Sequence, residues 1–215
     1  MGRWEPNARG RLERAAMELY RERGFEATTV AEIAKRAGLT ERTFFRYYAD
    51  KREVLFAGSE ELRDHLIAKV EEAPASLSPF EAVATALVEV AGAALGERPD
   101  FARQRREIIV ATPELQEREL IKLASWASAV ADALRRRGVD DQTAALAGEA
   151  GIAVFKVAFY RWVEEPDEER TLAELIGEAS LEMMAVAGRA PAPRPGRTPQ
   201  RTSAGRTATG VTSPT

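Results

Sequence analysis

Helix start and stop signals punctuate this chain at short intervals, and that punctuation limits its fold more than any other feature. Thr29-Val30-Ala31-Glu32, Asp50-Lys51-Arg52-Glu53 and Thr171-Leu172-Ala173-Glu174 all have the capping-box form. In that device a side-chain oxygen accepts free N–H groups of the first turn, and the glutamate reaches back to the cap residue. Ser78-Pro79-Phe80-Glu81 and Thr112-Pro113-Glu114 put proline at the first helical position, where its missing N–H costs nothing. Gly24 and Gly138 each follow a basic last turn, Arg21-Glu22-Arg23 and Arg135-Arg136-Arg137, as suits a helix C-terminus. No stretch alternates apolar and polar residues between turn signals, as a half-buried strand would. The spacing predicts an all-α chain of about nine helices, near 8–23, 30–37, 41–47, 51–72, 79–96, 100–111, 113–137, 141–164 and 168–187.

Composition narrows the chemistry. There is no Cys and one His, His65, among the 215 residues, which excludes thiol nucleophiles, cysteine metal sites and His-pair zinc motifs. No metal and no cofactor are expected. No run of about 20 apolar residues occurs and Met1–Gly10 lacks an apolar segment after its charges, so a soluble, cytoplasmic protein without a membrane partner is expected. The net charge of −3 conceals a segregation. Residues 1–56 carry 12 Lys/Arg against 9 Asp/Glu, residues 57–188 carry 14 against 25, and residues 189–215 carry five Arg and no acid. The ends can approach a polyanion and the acidic middle cannot. The last segment holds five Pro, eight Ser/Thr and one large aliphatic residue, Val211; it cannot bury enough to offset its ordering entropy and is expected to be disordered. Three units follow: 1–56, 57–188 and a tail at 189–215.

The first unit carries the functional signal. Val30, Ile33, Ala34 and Ala37 give one short helix a small apolar face, Gly38 supplies a turn, Leu39 plugs beneath it, and Thr40 caps a second short helix. This is helix-turn-helix architecture, whose second helix enters the DNA major groove. That helix bears Arg42, Phe45, Arg46, Tyr47 and Tyr48 beyond the inward Phe44, more large side chains than one small core absorbs. Arginine pairs bidentately with guanine, and aromatics pack on thymine methyls or sugars. Thr29, Thr40 and Thr43, with Lys51, suit phosphate contacts that position without specifying sequence.

From about Arg9 to Phe56 the chain resembles the DNA-binding domain of the TetR family of bacterial regulators. The resemblance is carried by Gly24-Phe25, Thr29-Val30, Ile33-Ala34, Ala37-Gly38-Leu39-Thr40, Thr43-Phe44-Phe45 and Lys51 with Leu55. It implies a dimeric, ligand-responsive transcription factor, usually a repressor. By motif position Thr29, Thr43 and Lys51 take phosphate roles, while Glu41, Arg42, Phe45 and Tyr47 face bases or sugars. Phe45 stands where the family most often has Tyr, and Tyr47 where His is frequent, so an operator sequence does not transfer.

The same resemblance assigns 78–138 to a ligand-enclosing bundle and the last two helices to dimerisation. Residues 148–162 are apolar on more than one face, as a helix buried on several sides would be; Glu149, Lys156 and Arg161 interrupt the run and argue against a membrane span. Gly151, Ile152, Trp162, Leu172, Leu175, Ile176, Ala179 and Met183 are the expected homodimer contacts. A four-helix interface with two-fold symmetry would then present two recognition helices to a palindromic double-stranded operator. Phe80, Phe101, Trp126, Phe155 and Phe159 could line an apolar cavity or simply fill core. Arg103-Gln104-Arg105-Arg106-Glu107 through Thr112-Pro113-Glu114, then Phe155 to Trp162, is similar to the C-terminal half of mycofactocin-type TetR regulators, which implies an acyl-CoA-like effector. Arg105 and its neighbours could hold ligand phosphates, or form a solvated face paired with acids. The expected switch is a ligand-driven shift of one helix over 50–72 that links both halves.

Two other classes compete. A helical dimeric interaction module would keep the folds without specific operator binding. An enzyme would need buried carboxylates, for example among Glu114, Glu117 and Glu119; those acids sit on an expected exposed first turn, where the helix dipole accounts for them.

Overall fold

A computed structural model describes residues 7–94, 99–164 and 170–188; the expected tail at 189–215 lies outside the described residues. Those residues form nine α-helices and one 3-10 turn, with no strand among them. The helices are α1 (Ala8–Arg23), α2 (Val30–Arg36), α3 (Glu41–Tyr47), α4 (Ser59–Glu72), α5 (Pro79–Ala94), α6 (Pro99–Val110), α7 (Pro113–Arg136), α8 (Asp141–Glu164) and α9 (Leu172–Ala187). The 3-10 turn spans Glu53–Phe56.

The caps act as their residue types demand. Both halves of the capping box close at Thr29/Glu32 and at Thr171/Glu174. The Thr29 backbone N–H and hydroxyl hold the Glu32 carboxyl below its ordinary range. Ser78 and Glu81 exchange the same pair of bonds at the start of α5. Thr112 makes no side-chain cap bond, leaving Pro113 to open α7.

One expected helix is broken. The stretch 51–72 divides into the 3-10 turn and α4, with Gly58 at φ 82° between them. The left-handed backbone there costs an L-residue about 1–2 kcal/mol and costs glycine almost nothing. Asp50 still caps, accepting from the Arg52 and Glu53 backbone N–H groups at 2.8 and 3.2 Å, but it caps the short turn. Glu53 does not reach back; its carboxylate goes to Arg118 and Lys122 of α7 at 2.6 and 3.3 Å.

Two apolar cores result. One gathers α1–α3 and the 3-10 turn around Leu12, Leu19, Ile33 and Phe44, and it is completed by Ile109 of α6 and Leu115 of α7, both fully buried. The other fills the body between α4, α5, α7, α8 and α9. In α8, Gly148 lets the helix lie on α7: a Cβ there would stand 2.6 Å from the Ala127 carbonyl oxygen. Gly151 does the same under Val83 of α5, where a Cβ would meet Cγ1 at 2.3 Å. By length and composition α8 could cross a membrane, but here it is the central helix of the body, packed by α5, α7 and α9.

Most of the expected dimer contacts pack within the protomer. Gly151, Ile152, Trp162, Leu172, Leu175, Ile176 and Ala179 are buried inside their own protomer, and Met183 packs half-buried against the same core. Their helical spacing reports burial, and the neighbours that bury them are α5, α7 and each other. The large apolar residues that α8 and α9 leave at the surface are others: Leu146, Val157, Leu181, Met184 and Val186.

Candidate nucleic-acid interface and ligand cavity

The helix-turn-helix is held from within so that its outer face is free. Phe44 is fully buried, with Phe45 edge-on to it at 5.5 Å and Tyr48 at 5.6 Å. Thr40 caps α3 by accepting from the Thr43 N–H at 3.2 Å, and the two hydroxyls lie 3.0 Å apart. Glu41, Arg42, Phe45, Arg46 and Tyr47 are all exposed, Phe45 by 55 %. Such solvent exposure of a phenylalanine in a seven-residue helix has no packing explanation; it is the face left over once Phe44 has filled the core. Arg46 donates to the Tyr47 hydroxyl at 3.0 Å and lies over its ring at 4.9 Å. Thr29 is exposed beside the same face, and Thr40 and Thr43 stand at its edge.

Two residues behave differently from expectation. Tyr48 is buried and donates its hydroxyl to Glu13 at 2.9 Å. Lys51 presents no free ammonium: its three donors go to the carbonyls of Phe25, Glu26 and Thr28 at 2.8, 3.3 and 3.0 Å, and it lies over the Phe25 ring at 4.3 Å. In this arrangement Lys51 pins the loop that leads into Thr29 and so positions that loop. An isolated lysine in a basic segment carries no signal of such a role.

Behind the helix-turn-helix lies a cavity of about 410 Å³. Its walls come from both halves: the 3-10 turn and hinge (Val54–Ser59), α4, α6, α7 and α8. Of the expected lining residues, Phe101, Arg105, Trp126, Phe155 and Phe159 are there. Phe80 is not; it packs half-buried on the body core. Trp126, Phe155 and Phe159 form a ladder with centroid spacings of 5.9 and 5.8 Å.

The arginines of α6 are engaged with the protein. Arg105 donates from Nε to the Leu55 carbonyl at 2.5 Å, lies over the Phe56 ring at 5.0 Å, and faces Glu119 at 3.4 Å. Burial pushes its pKa down and Glu119 opposes that shift. Arg106 meets the other Glu119 oxygen at 3.3 Å and covers the Tyr160 ring at 3.7 Å. Arg103 pairs with Asp100 at 3.1 Å. Sequence reasoning placed Glu119 on an exposed turn, whereas it is buried under these arginines. Arg105 is thus a strut between α6 and the 3-10 turn as well as a wall of the cavity.

A helix-turn-helix with a bare polar and aromatic face, seated on a helical body whose cavity reaches the joint between them, defines a DNA-binding protein with a ligand-binding regulatory domain. The chain belongs to the TetR family of bacterial regulatory proteins. The family model for the tetR-type DNA-binding domain matches residues 13–57, and that for the MftR C-terminal domain matches residues 77–188. The chain is 27 % identical over 182 residues to the mycofactocin biosynthesis transcriptional regulator MftR of Mycobacterium tuberculosis, covering 83 % of this chain and 90 % of that protein. It is 37 % identical over 84 residues to the transcriptional regulator TcmR of Streptomyces glaucescens, a match spanning 39 % of this chain and 37 % of TcmR. Among solved structures, the TetR-family repressor FadR of Thermus thermophilus with lauroyl-CoA superposes with a TM-score of 0.53 at 26 % identity, covering 87 % of this chain and 99 % of FadR. SmeT of Stenotrophomonas maltophilia, in its triclosan complex, shares the fold at a TM-score of 0.57 and 21 % identity, covering 83 % and 90 %. The protein is a transcriptional regulator and not an enzyme.

Proposed function

We propose that this regulator is a cytoplasmic repressor that binds a palindromic operator as a homodimer and releases it when an apolar or acyl-CoA-like effector fills the cavity. Thr29, Thr40 and Thr43 meet phosphates in this reading, and Glu41, Arg42, Phe45, Arg46 and Tyr47 read the groove. The dimer face is the apolar surface of α8 and α9 that the protomer leaves uncovered, Leu146 and Val157 on one helix and Leu181 and Met184 on the other. FadR's lauroyl-CoA complex supports an acyl effector.

One observation carries the switch. Val54, Leu55 and Phe56 belong to the helix-turn-helix core and also form a wall of the cavity. A ligand that displaces this turn acts on the DNA-binding unit with no intervening element, and Gly58 is the joint about which it can move. The shift is tied down from the other side by Arg52–Glu114 and Glu53–Arg118, both at 2.6 Å. Coupling requires only that the ligand prefer one of the two arrangements, typically by about 1–3 kcal/mol.

The reading can be tested before any effector is known. Ala102 lines the cavity, half-buried, and Ala102→Trp places a permanent occupant there. A folded Ala102→Trp dimer should bind an operator selected from random DNA roughly 5–150-fold more weakly than the parent. Unchanged operator affinity in the folded variant would remove the cavity from the mechanism.

A further inference from the structure

The polar groups of the cavity are unevenly satisfied, and the imbalance has one sign. Glu13 accepts from the Tyr48 hydroxyl at 2.9 Å and lies 3.5 Å from Arg9, which also meets Glu61 at 2.6 Å. Glu119 is bracketed by Arg105 and Arg106 at 3.4 and 3.3 Å. Lys122 sits between Glu53 and Glu60 at 3.3 and 3.5 Å. Every carboxylate lining the cavity is therefore already matched by a cation. His65 also lines the wall and lies close enough to act on Glu61, whereas Lys156 makes no ion pair or hydrogen bond among the described residues.

A second group points the same way. Trp126 is 6 % exposed, and its indole N–H has no acceptor. A buried donor left unpaired loses its hydration without return. The apolar ladder of Trp126, Phe155 and Phe159 runs along the same wall, and Lys156 follows Phe155 on α8, one turn before Tyr160. What the site lacks is an acceptor beside the rings and one negative charge at Lys156.

From this we infer that the cavity takes an apolar monocarboxylate, its head group held by Lys156 and its body laid along Trp126, Phe155 and Phe159. A cationic ligand would find no free carboxylate. A phosphorylated ligand would bring more negative charge than one lysine answers. The α6 arginines offer a CoA thioester's phosphates little, since Arg103, Arg105 and Arg106 already hold Asp100 and Glu119. A cavity of about 410 Å³ is near the lower end of the range for small-molecule sites, ~300–1,000 Å³, and suits the carboxylic acid without the nucleotide. The inference rests on the effector reading for the choice of cavity, and takes its apolar alternative in place of the acyl-CoA-like one.

The test is calorimetric titration of the full 215-residue chain, without DNA, with decanoate and with decan-1-ol. Decanoate should bind about tenfold or more tightly than the alcohol, as a charge-assisted hydrogen bond requires. Lys156→Met should erase that preference, Lys156→Arg should restore most of it, and Trp126→Phe, which keeps the ring and removes the N–H, should weaken decanoate severalfold. Equal affinity of the parent for acid and alcohol would overturn the assignment. So would a preference that survives Lys156→Met in a folded chain, or tighter binding of decanoyl-CoA than of decanoate. Decanoate that binds through Lys156 yet leaves operator affinity unchanged would instead sink the repressor-release reading and leave the ligand assignment standing.

Discussion

A chain carrying Arg42→Ala with Arg46→Ala is expected to lose sequence-specific operator binding while keeping its fold. Both side chains are exposed on α3, and neither contributes to the core that Phe44 anchors or to the Thr40 cap. Each good arginine–guanine pair contributes about 1–3 kcal/mol of discrimination, and a dimer presents each position twice. Loss of both should weaken the selected operator by at least ~100-fold. The variant should keep a weak attraction to any DNA, with log affinity falling against log salt by about 0.9 per phosphate neutralised. Gel shifts against the selected operator and an unrelated duplex, across a salt series, measure both effects. A double variant that retains the parent's preference for the operator would mean that α3 is not the reading helix.

How far the sequence could be read depended on whether a signal was local. The helix-turn-helix was legible because every part of it is a short-range device: Thr29 with Glu32, Gly38 in the left-handed region at φ 66°, Thr40 with Thr43. The break at Gly58 was hidden because Asp50 caps the 3-10 turn with the same bonds that open an α-helix. The apolar residues on both sides of the break keep a helical rhythm, and a single glycine inside such a pattern reads as a tolerated interruption. Lys51 could not be read because its partners, the carbonyls of 25–28, are backbone atoms that leave no trace in the residue types. Phe101, Trp126, Phe155 and Phe159 line the cavity and Phe80 does not, although all five fall at helical spacing. Periodicity says that a side chain points inward; whether it meets another side chain or an empty volume is settled by helices far away in the chain.

The same limit governs the dimer face, where it yields the second large expected effect. Ile176 and Leu175 are apolar because α5 and α8 bury them within one protomer, Ile176 completely. Ile176→Ala should therefore cost about 2–5 kcal/mol of protomer stability and appear as a lowered Tm. Val157 and Leu181 are 48 % and 66 % exposed, positions where an aspartate costs the isolated protomer little. In a two-fold dimer built on this face, each substitution is buried twice. Val157→Asp with Leu181→Asp would set four carboxylates into one interface, beside an Arg161 that already faces Glu182 at 3.9 Å. The cost of burying charge is several kcal/mol per ion, so dimerisation should weaken by at least ~100-fold and sedimentation should report the mass of one folded chain, whose Tm no longer depends on protein concentration. Operator affinity should fall with it, since one recognition helix then reads only half a palindrome. A variant that still sediments as a dimer would move the interface away from this face. The surface to try next would be Val110, Leu120 and Ile121, where the α6–α7 corner also leaves large apolar side chains exposed.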